Sequence, residues 1–187
     1  MFAKTLFAVV LTIFCGSLIG CARPSTGLSD DQPEADMPDL AQPGGVLSEL
    51  PIEAKRLYWR TNELRTRAGL RPLELRAELC VLARQQVVTM IEQGRLTNFS
   101  PAGVDIAGRL TAEGIWWTVC AENVGRFRGQ GDVVDALMKK WQANADDREN
   151  ILNELCRQTG LAIVKDDKTN NWYAAQIFLR QSLFWEK

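Results

Sequence analysis

The segment 120–125 is the feature that most constrains how this chain folds. Apolar neighbours such as Val119 and Val124 predict that it is a buried β-strand. Glu122 and Asn123 nevertheless place a carboxylate and a carboxamide side by side within it. Buried polar groups are costly unless they are paired, so the fold must bring hydrogen-bonding partners to this strand.

Two other stretches contain side chains suited to pair with Glu122. One is the polar loop around Asn98, and the other is the segment 147–150. We predict that the three stretches meet in one site. The chain contains no histidine (His 0), so neither a Ser-His-Asp nor a Cys-His arrangement can form and no imidazole base is present.

The N-terminus has the pattern of an export signal. Residues 1–20 contain one early charge, Lys4, followed by an apolar run over residues 6–14 that is too short to span a bilayer as a mature helix. Leu18-Ile19-Gly20-Cys21 then resembles a bacterial lipobox. We predict a lipoprotein signal peptide over 1–20 and acylation of Cys21, with palmitate among the lipids. An ordinary secretory signal with a coincidental cysteine is the alternative.

Acyl chains on Cys21 would hold the protein on a membrane, since each buried CH₂ contributes about 0.8 kcal/mol. Ala22 follows the cysteine, which resembles the default sorting to the outer membrane, facing the periplasm, in a Gram-negative host. We predict a flexible linker over residues 21–46, because this stretch is rich in proline and acidic residues and has few apolar positions. The expected location is the cell envelope.

Residues 47–187 form the predicted folded domain. Its apolar periodicity predicts three helices, a strand, two further helices and a final hairpin over 160–179. This order predicts an α/β fold with one sheet and helices on both faces, a three-layer α-β-α sandwich in a single domain. The net charge of -1 and the lack of a basic tract exclude nucleic acid as a partner.

Several fragments occur together in one order along the domain. They are Asn62-Glu63-Leu64-Arg65 with Gly69 and Pro72-Leu73, the loop 96–103, Ala121-Glu122-Asn123-Val124, Trp141, Arg148-Glu149-Asn150-Ile151-Leu152, Gly160 and the segment 172–178. Together they resemble the CAP or SCP domain of cysteine-rich secretory proteins, antigen 5 and plant pathogenesis-related proteins, in its bacterial secreted branch. The resemblance covers about residues 52–180 and implies the same α-β-α sandwich.

The resemblance also implies a central cleft built from two histidines and acidic residues, which often holds a divalent cation. In this chain Asn98 and Asp147 stand at the two histidine positions, Glu122 is retained, and Asn144 aligns with a further acidic position. We therefore predict that these four residues line a binding cleft with no metal and no cofactor. A calcium or magnesium site built from the oxygens of Asn98, Glu122 and Asp147 is the alternative.

Cys80, Cys120 and Cys156 lie within the domain, in an export context where cysteines pair. Three cysteines allow at most one bridge, and we predict Cys120 with Cys156 because both lie near strands that should be close. The alternative is that all three are reduced and buried.

The sequence favours a non-catalytic envelope lipoprotein, not an enzyme. Its degenerate CAP-like domain would bind a small ligand or an envelope protein. One alternative is an envelope hydrolase, a peptidase or a cell-wall enzyme, that uses Glu122 and Asp147 as acid and base. The other is a structural or assembly subunit.

Overall fold

The computed structural model describes residues 45–182. The predicted signal peptide, Cys21 and nearly all of the predicted linker lie outside these residues, as does the segment 183–187. Six helices and four strands are present in the described part. In chain order they are α1 Val46–Glu49, α2 Ile52–Arg67, β1 Glu74–Leu75, α3 Ala77–Gln93, α4 Ile106–Ala112, β2 Trp117–Phe127, α5 Val133–Ala143, α6 Ala145–Leu152, β3 Gln158–Asp166 and β4 Asn171–Gln181.

The four strands form one sheet in the order β1-β3-β4-β2. β3 and β4 are a hairpin, β2 is antiparallel to β4, and the two-residue β1 runs parallel to β3. Since alternate residues of a strand point to opposite faces, β2 and β4 can contribute side chains to a hydrophobic core on each face of the sheet. In the central register Glu122 lies opposite Ile177 and Asn123 lies opposite Gln176.

Helices cover both faces of the sheet and confirm the predicted α-β-α sandwich. On one face α2, α5 and α6 pack in a core that includes Leu57, Leu137 and Phe178. On the other face α3 and α4 pack in a second core, with Val87 and Leu110 among its members. Within residues 45–182, no helix combines the length and hydropathy that crossing a bilayer requires.

Local signals set the ends of the helices. Asp132 is the predicted N-cap of α5, and its side chain accepts from the Asp135 N–H at 3.0 Å. Gly94 ends α3 with a φ of 64°, the left-handed conformation that glycine adopts at little cost. Asn144 is the N-cap of α6, and its side chain accepts from the Asp147 N–H.

Glycine also fixes how closely α3 approaches the sheet. A Cβ at Gly160 of β3 would lie 2.2 Å from the carbonyl carbon of Leu79, so helix backbone and strand backbone are in direct contact there. Gly125 of β2 faces α5, where a Cβ would lie 2.5 Å from Leu137 Cδ2. The two glycines set the spacing of the two helical layers on opposite faces.

The open edge of β2 is closed by side chains. Residues 122, 124 and 126 alternate with those whose backbone groups hydrogen-bond to β4, so their own carbonyls point away from the sheet. Each of these carbonyls accepts a hydrogen bond from a side chain. The donors are Asn98 Nδ2 to Glu122 at 3.1 Å, Trp141 Nε1 to Val124 at 3.1 Å and Lys140 Nζ to Arg126 at 2.7 Å. We call this the capped edge.

Arg65, which is fully buried, ties α2 to the chain after α6. Its guanidinium donates to the carbonyl oxygens of Ile151 at 2.6 Å, Asn153 at 3.0 Å and Cys156 at 3.3 Å. Its Nε also donates to Arg71 at 3.0 Å. Carbonyl oxygens thus take the place of a carboxylate partner, and they satisfy a charge that burial would otherwise make costly.

Candidate functional site

The candidate site is built around two adjacent residues of β2 that point to opposite layers. Glu122 faces α4 and the loop that follows α3, whereas Asn123 faces α6. Strand alternation requires this arrangement, since neighbouring side chains cannot share a face. The polar residues of the site therefore form two hydrogen-bonded clusters, one on each side of β2.

Arg109 of α4 is the partner of Glu122. Its Nη2 lies 2.7 Å from Glu122 Oε2, and the two side chains are 9% and 1% exposed. Arg109 Nη1 also donates to the Leu82 carbonyl of α3 at 3.4 Å. α4 is anchored by Leu110, which is buried beside Arg109, so the guanidinium is carried into the interior by its own helix.

Asn98 joins the same cluster from the loop between α3 and α4. Its Nδ2 donates to the Glu122 carbonyl, as described for the capped edge. Gln86 of α3 holds the loop in place, because its Nε2 donates to the carbonyls of Thr97 and Phe99. The prediction that Asn98 and Glu122 come together agrees with this geometry, although Asn98 contacts mainly the backbone of the strand.

Burial raises the pKa of the Glu122 carboxyl, while the Arg109 guanidinium and the Asn98 side chain oppose the rise. The ion pair takes up Oε2, and Oε1 has no hydrogen-bond donor among the described residues. The Arg109 guanidinium therefore balances the charge of the buried Glu122 carboxylate.

Asn123 organises the second cluster and is fully buried. Its Nδ2 donates to the Asp147 carbonyl at 2.8 Å, and its Oδ1 accepts from Asn150 Nδ2 at 2.8 Å. Asn144 completes the cluster, since its Oδ1 accepts from the Asp147 N–H at 2.9 Å. Asn144, Asp147 and Asn150 therefore fix α6 against β2.

The Asp147 carboxyl is half-buried at the first turn of α6. Burial, and to a smaller degree the neighbouring Asp146, raise the pKa of Asp147 to about 6. This is the one predicted cleft carboxylate that is not paired with a cation in the described residues. Its strand contact is through Asn123, on the face of the sheet opposite to the Glu122 side chain.

The residues present do not fit the divalent cation that the family resemblance implies. In the described part of the chain no group of three or more His, Cys, Asp or Glu side chains is placed to hold a metal ion. Glu122 is bonded to Arg109, and Asp147 belongs to the other cluster. Calcium normally takes six to eight oxygen ligands, and the proposed three oxygens are not assembled here.

The predicted bridge between Cys120 and Cys156 is not formed. Cys80, Cys120 and Cys156 are all free thiols. Cys156 lies in the core beneath α2, α5 and α6, whereas Cys120 packs against the core beneath α3 and α4. The two side chains thus belong to opposite layers, and burial raises the pKa of both thiols, that of Cys120 to about 11.

Sequence reasoning missed Arg109. Arg148, which lies in the predicted partner segment 147–150, is exposed on α6. The available signal was that a buried carboxylate needs a cation, and that Arg109 sits next to the inward-facing Leu110 in a short helix. The helical periodicity alone would instead place the Arg109 side chain in solvent.

The comparisons with known proteins agree with this architecture. The family model described as the cysteine-rich secretory protein family, CAP, matches residues 59–178. Among curated proteins, none matches the chain in sequence.

Among solved structures, an outer surface protein from Borrelia burgdorferi is similar, with 18% identity and a TM-score of 0.63 over 70% of this chain and 93% of that one. A cysteine-rich secretory protein from Staphylococcus aureus has 25% identity and a TM-score of 0.56, over 70% of this chain and 39% of that one. An extracellular protein containing an SCP domain, from Bacillus anthracis, has 20% identity and a TM-score of 0.59, over 68% of this chain and 40% of that one. The chain thus spans about 40% of the length of these last two proteins.

Proposed function

The chain belongs to the cysteine-rich secretory protein family, CAP, and on that premise we propose that it is a non-catalytic binding module of the cell envelope, tethered to a membrane by lipid on Cys21. Its occupant would be a small ligand or an envelope protein.

The observation that supports a binding role over a catalytic one is the buried ion pair of Glu122 with Arg109. The guanidinium lies 2.7 Å from the carboxylate and is itself nearly buried, at 9% exposure. A general acid or base must reach a substrate and exchange its proton. A carboxylate locked to an internal cation does neither, and the chain has no histidine to replace it.

The envelope location is supported by two observations. The predicted signal peptide and lipobox precede the domain, and the similar structures come from an outer surface protein and an extracellular protein. The acidic, proline-rich stretch before residue 47 provides the length for a tether between the lipid and the domain.

A turnover assay tests the non-catalytic role against the hydrolase alternative. The full chain is incubated with a casein-derived peptide mixture and with purified peptidoglycan, and products are followed by mass spectrometry. The matched control is the double variant Glu122→Gln, Asp147→Asn. We expect both proteins to release no product above buffer. Product formed by the native chain and lost in the double variant would overturn the proposal.

Calorimetric titration with Ca²⁺ and Zn²⁺ tests the related expectation that no cation binds. We expect no heat of binding with the native chain. Micromolar binding that is lost in Glu122→Ala would contradict the interpretation of Arg109 as the partner that occupies this carboxylate.

A further inference from the structure

A second concave site lies along the N-terminal half of α3, where it is lined by Ala77, Cys80, Val81 and Arg84. It is a cavity of about 270 Å³ between α1 with the start of α2 on one side and α3 on the other, with β3 as its floor. Val46 and Leu50 form one wall, Val81 the other, and Leu161 and Ile163 the floor. We call it the α1–α3 cleft. Val81 is 57% exposed although it is apolar, so the cleft opens to solvent through an apolar wall.

The floor of the cleft is a strand edge without a neighbouring strand. β1 pairs only with Gln158 and Thr159, and β3 continues to Asp166. The Arg76 N–H donates to Thr159 O, so residues of the same parity, Leu161 and Ile163, direct their peptide groups to this side. Burial raises the pKa of the Cys80 thiol, and the nearby Leu161 amide opposes the rise. The other outward peptide groups of this stretch are suited to pair with an extended ligand.

Two opposite charges line the cleft. Glu49 of α1 stands on one wall and Arg84 of α3 on the other, and both side chains are exposed. Neither takes part in a salt bridge among residues 45–182. The cleft therefore has an apolar body, a strand edge at its base and separate positive and negative groups, a combination that complements a zwitterion.

We propose that the α1–α3 cleft binds a short apolar peptide with both ends free, such as a dipeptide. The carboxylate would bond to Arg84, the ammonium group would bond to Glu49, the peptide unit would pair with the β3 edge, and a small apolar side chain would contact Val81 and Leu50. Drug-sized ligands occupy pockets of about 300–1,000 Å³. The smaller cavity here fits a ligand of two residues.

The residues of one wall lie outside the region that matches the family. The family match begins at residue 59, whereas Val46, Glu49, Leu50, Pro51 and Ala54 all precede it. One wall of the cleft thus lies before the matched residues, whereas α3 and β3 lie within them. The inference deepens the proposed binding role, and its failure would leave the turnover and cation tests unaffected.

Calorimetry on the full chain tests the proposal with L-alanyl-L-valine, its N-acetyl form, its C-terminal amide and hexanoate. We expect the free dipeptide to bind, and blocking either end to weaken binding about tenfold, since charge-assisted hydrogen bonds are lost. In Arg84→Gln the free dipeptide should bind about tenfold more weakly, and amidation should cost nothing further. In Glu49→Gln the free dipeptide should also bind about tenfold more weakly, and N-acetylation should weaken binding no further.

Lys139→Gln, an exposed change on α5, is the matched control and should bind as the native chain does. Val81→Trp fills the cleft at an exposed position and should abolish binding while the far-ultraviolet circular dichroism spectrum stays native. Four results would overturn the proposal: no binding of the free dipeptide at millimolar concentration, equal binding of free and blocked forms, equally tight binding of hexanoate, or binding that survives Val81→Trp.

Discussion

At the scale of single residues, two adjacent polar side chains of β2 bond to helices on opposite sides of the strand. Glu122 balances a guanidinium on one face, and Asn123 donates to and accepts from α6 on the other. Both side chains are nearly or fully buried. The free energy of unfolding therefore depends on whether each buried polar group keeps its hydrogen-bonding partner. Removing a partner therefore costs more than removing the polar group together with its partner.

Arg109→Met should destabilise the fold strongly, because it leaves the Glu122 carboxylate buried without a cation. The expected loss is about 3–5 kcal/mol of unfolding free energy, measured by urea denaturation of the full chain. The double variant Arg109→Met, Glu122→Met should recover most of this loss, since an apolar pair of similar volume has no charge to desolvate. A double variant no more stable than Arg109→Met would contradict the ion-pair account.

Asp147 should make stability depend on pH. Its pKa is about 6 in the fold against an ordinary value of 3.8. Between these values the native state holds a proton that the unfolded chain has released. The contribution to stability is therefore complete below about pH 4 and is lost as the pH rises through 6. In Asp147→Asn the change in Tm relative to the native chain should become more positive from pH 4 to pH 7.

Glu149→Gln, on the exposed side of the same helix, is the control for this effect. Its Tm should stay parallel to that of the native chain over the same range. Parallel curves for Asp147→Asn as well would show that the carboxyl titrates at its ordinary pKa in the fold.

At the scale of elements, the sequence predicts the helices and the hairpin well but not how closely they pack. Gly69, Gly94 and Asp132 mark helix ends through local backbone preferences, which a sequence displays directly. The contact of α3 with β3 at Gly160 depends on where the helix crosses the sheet. No local pattern contains that information.

Gly160→Ala should destabilise the protein by about 1–3 kcal/mol, since its Cβ would meet helix backbone that cannot rotate away. Gly125→Ala is the matched comparison. Its Cβ would meet the end of the Leu137 side chain, which can change rotamer, so the loss should be smaller. Thermal unfolding of the two variants compares them. Equal losses would show that α3 can shift on the sheet as readily as a leucine side chain moves.

For the candidate site too, the sequence identified individual positions better than it identified their arrangement in space. Asn98, Glu122, Asn144 and Asp147 were all identified as polar positions near β2, and each makes a hydrogen bond within or beside that strand's two clusters. The Cys120–Cys156 bridge was wrong, because the two side chains lie in opposite layers. The grouping of the four residues into one binding cleft stays a prediction. A strand sends alternate side chains to opposite faces, and the sequence does not state which layer each partner belongs to.

At the scale of the whole molecule, residues 45–182 form the sandwich with its two cores, and the predicted export and lipid signals precede it. The family match over residues 59–178 covers the sandwich from α2 to β4 and leaves α1 outside. α1 and one wall of the α1–α3 cleft lie before the matched residues.

Cys21→Ser tests the proposed anchor. A single serine cannot take the thioether-linked lipid, so most of the protein should move from the membrane pellet to the soluble fraction after cell fractionation. Cys120→Ser, which alters a thiol inside the domain, is the control and should stay with the membrane. An unchanged distribution of Cys21→Ser would mean that another segment or partner holds the protein there.

The capped edge has a consequence for how separate copies of this protein could associate. Sheets from separate molecules join when unpaired strand edges meet, and a chain of molecules needs such an edge at both sides of every member. Here the Trp141 indole and the side chains of Asn98 and Lys140 occupy the carbonyls of residues 122, 124 and 126. A strand of a second molecule cannot pair with these carbonyls unless it displaces three side chains, so this stretch of β2 is protected from such pairing.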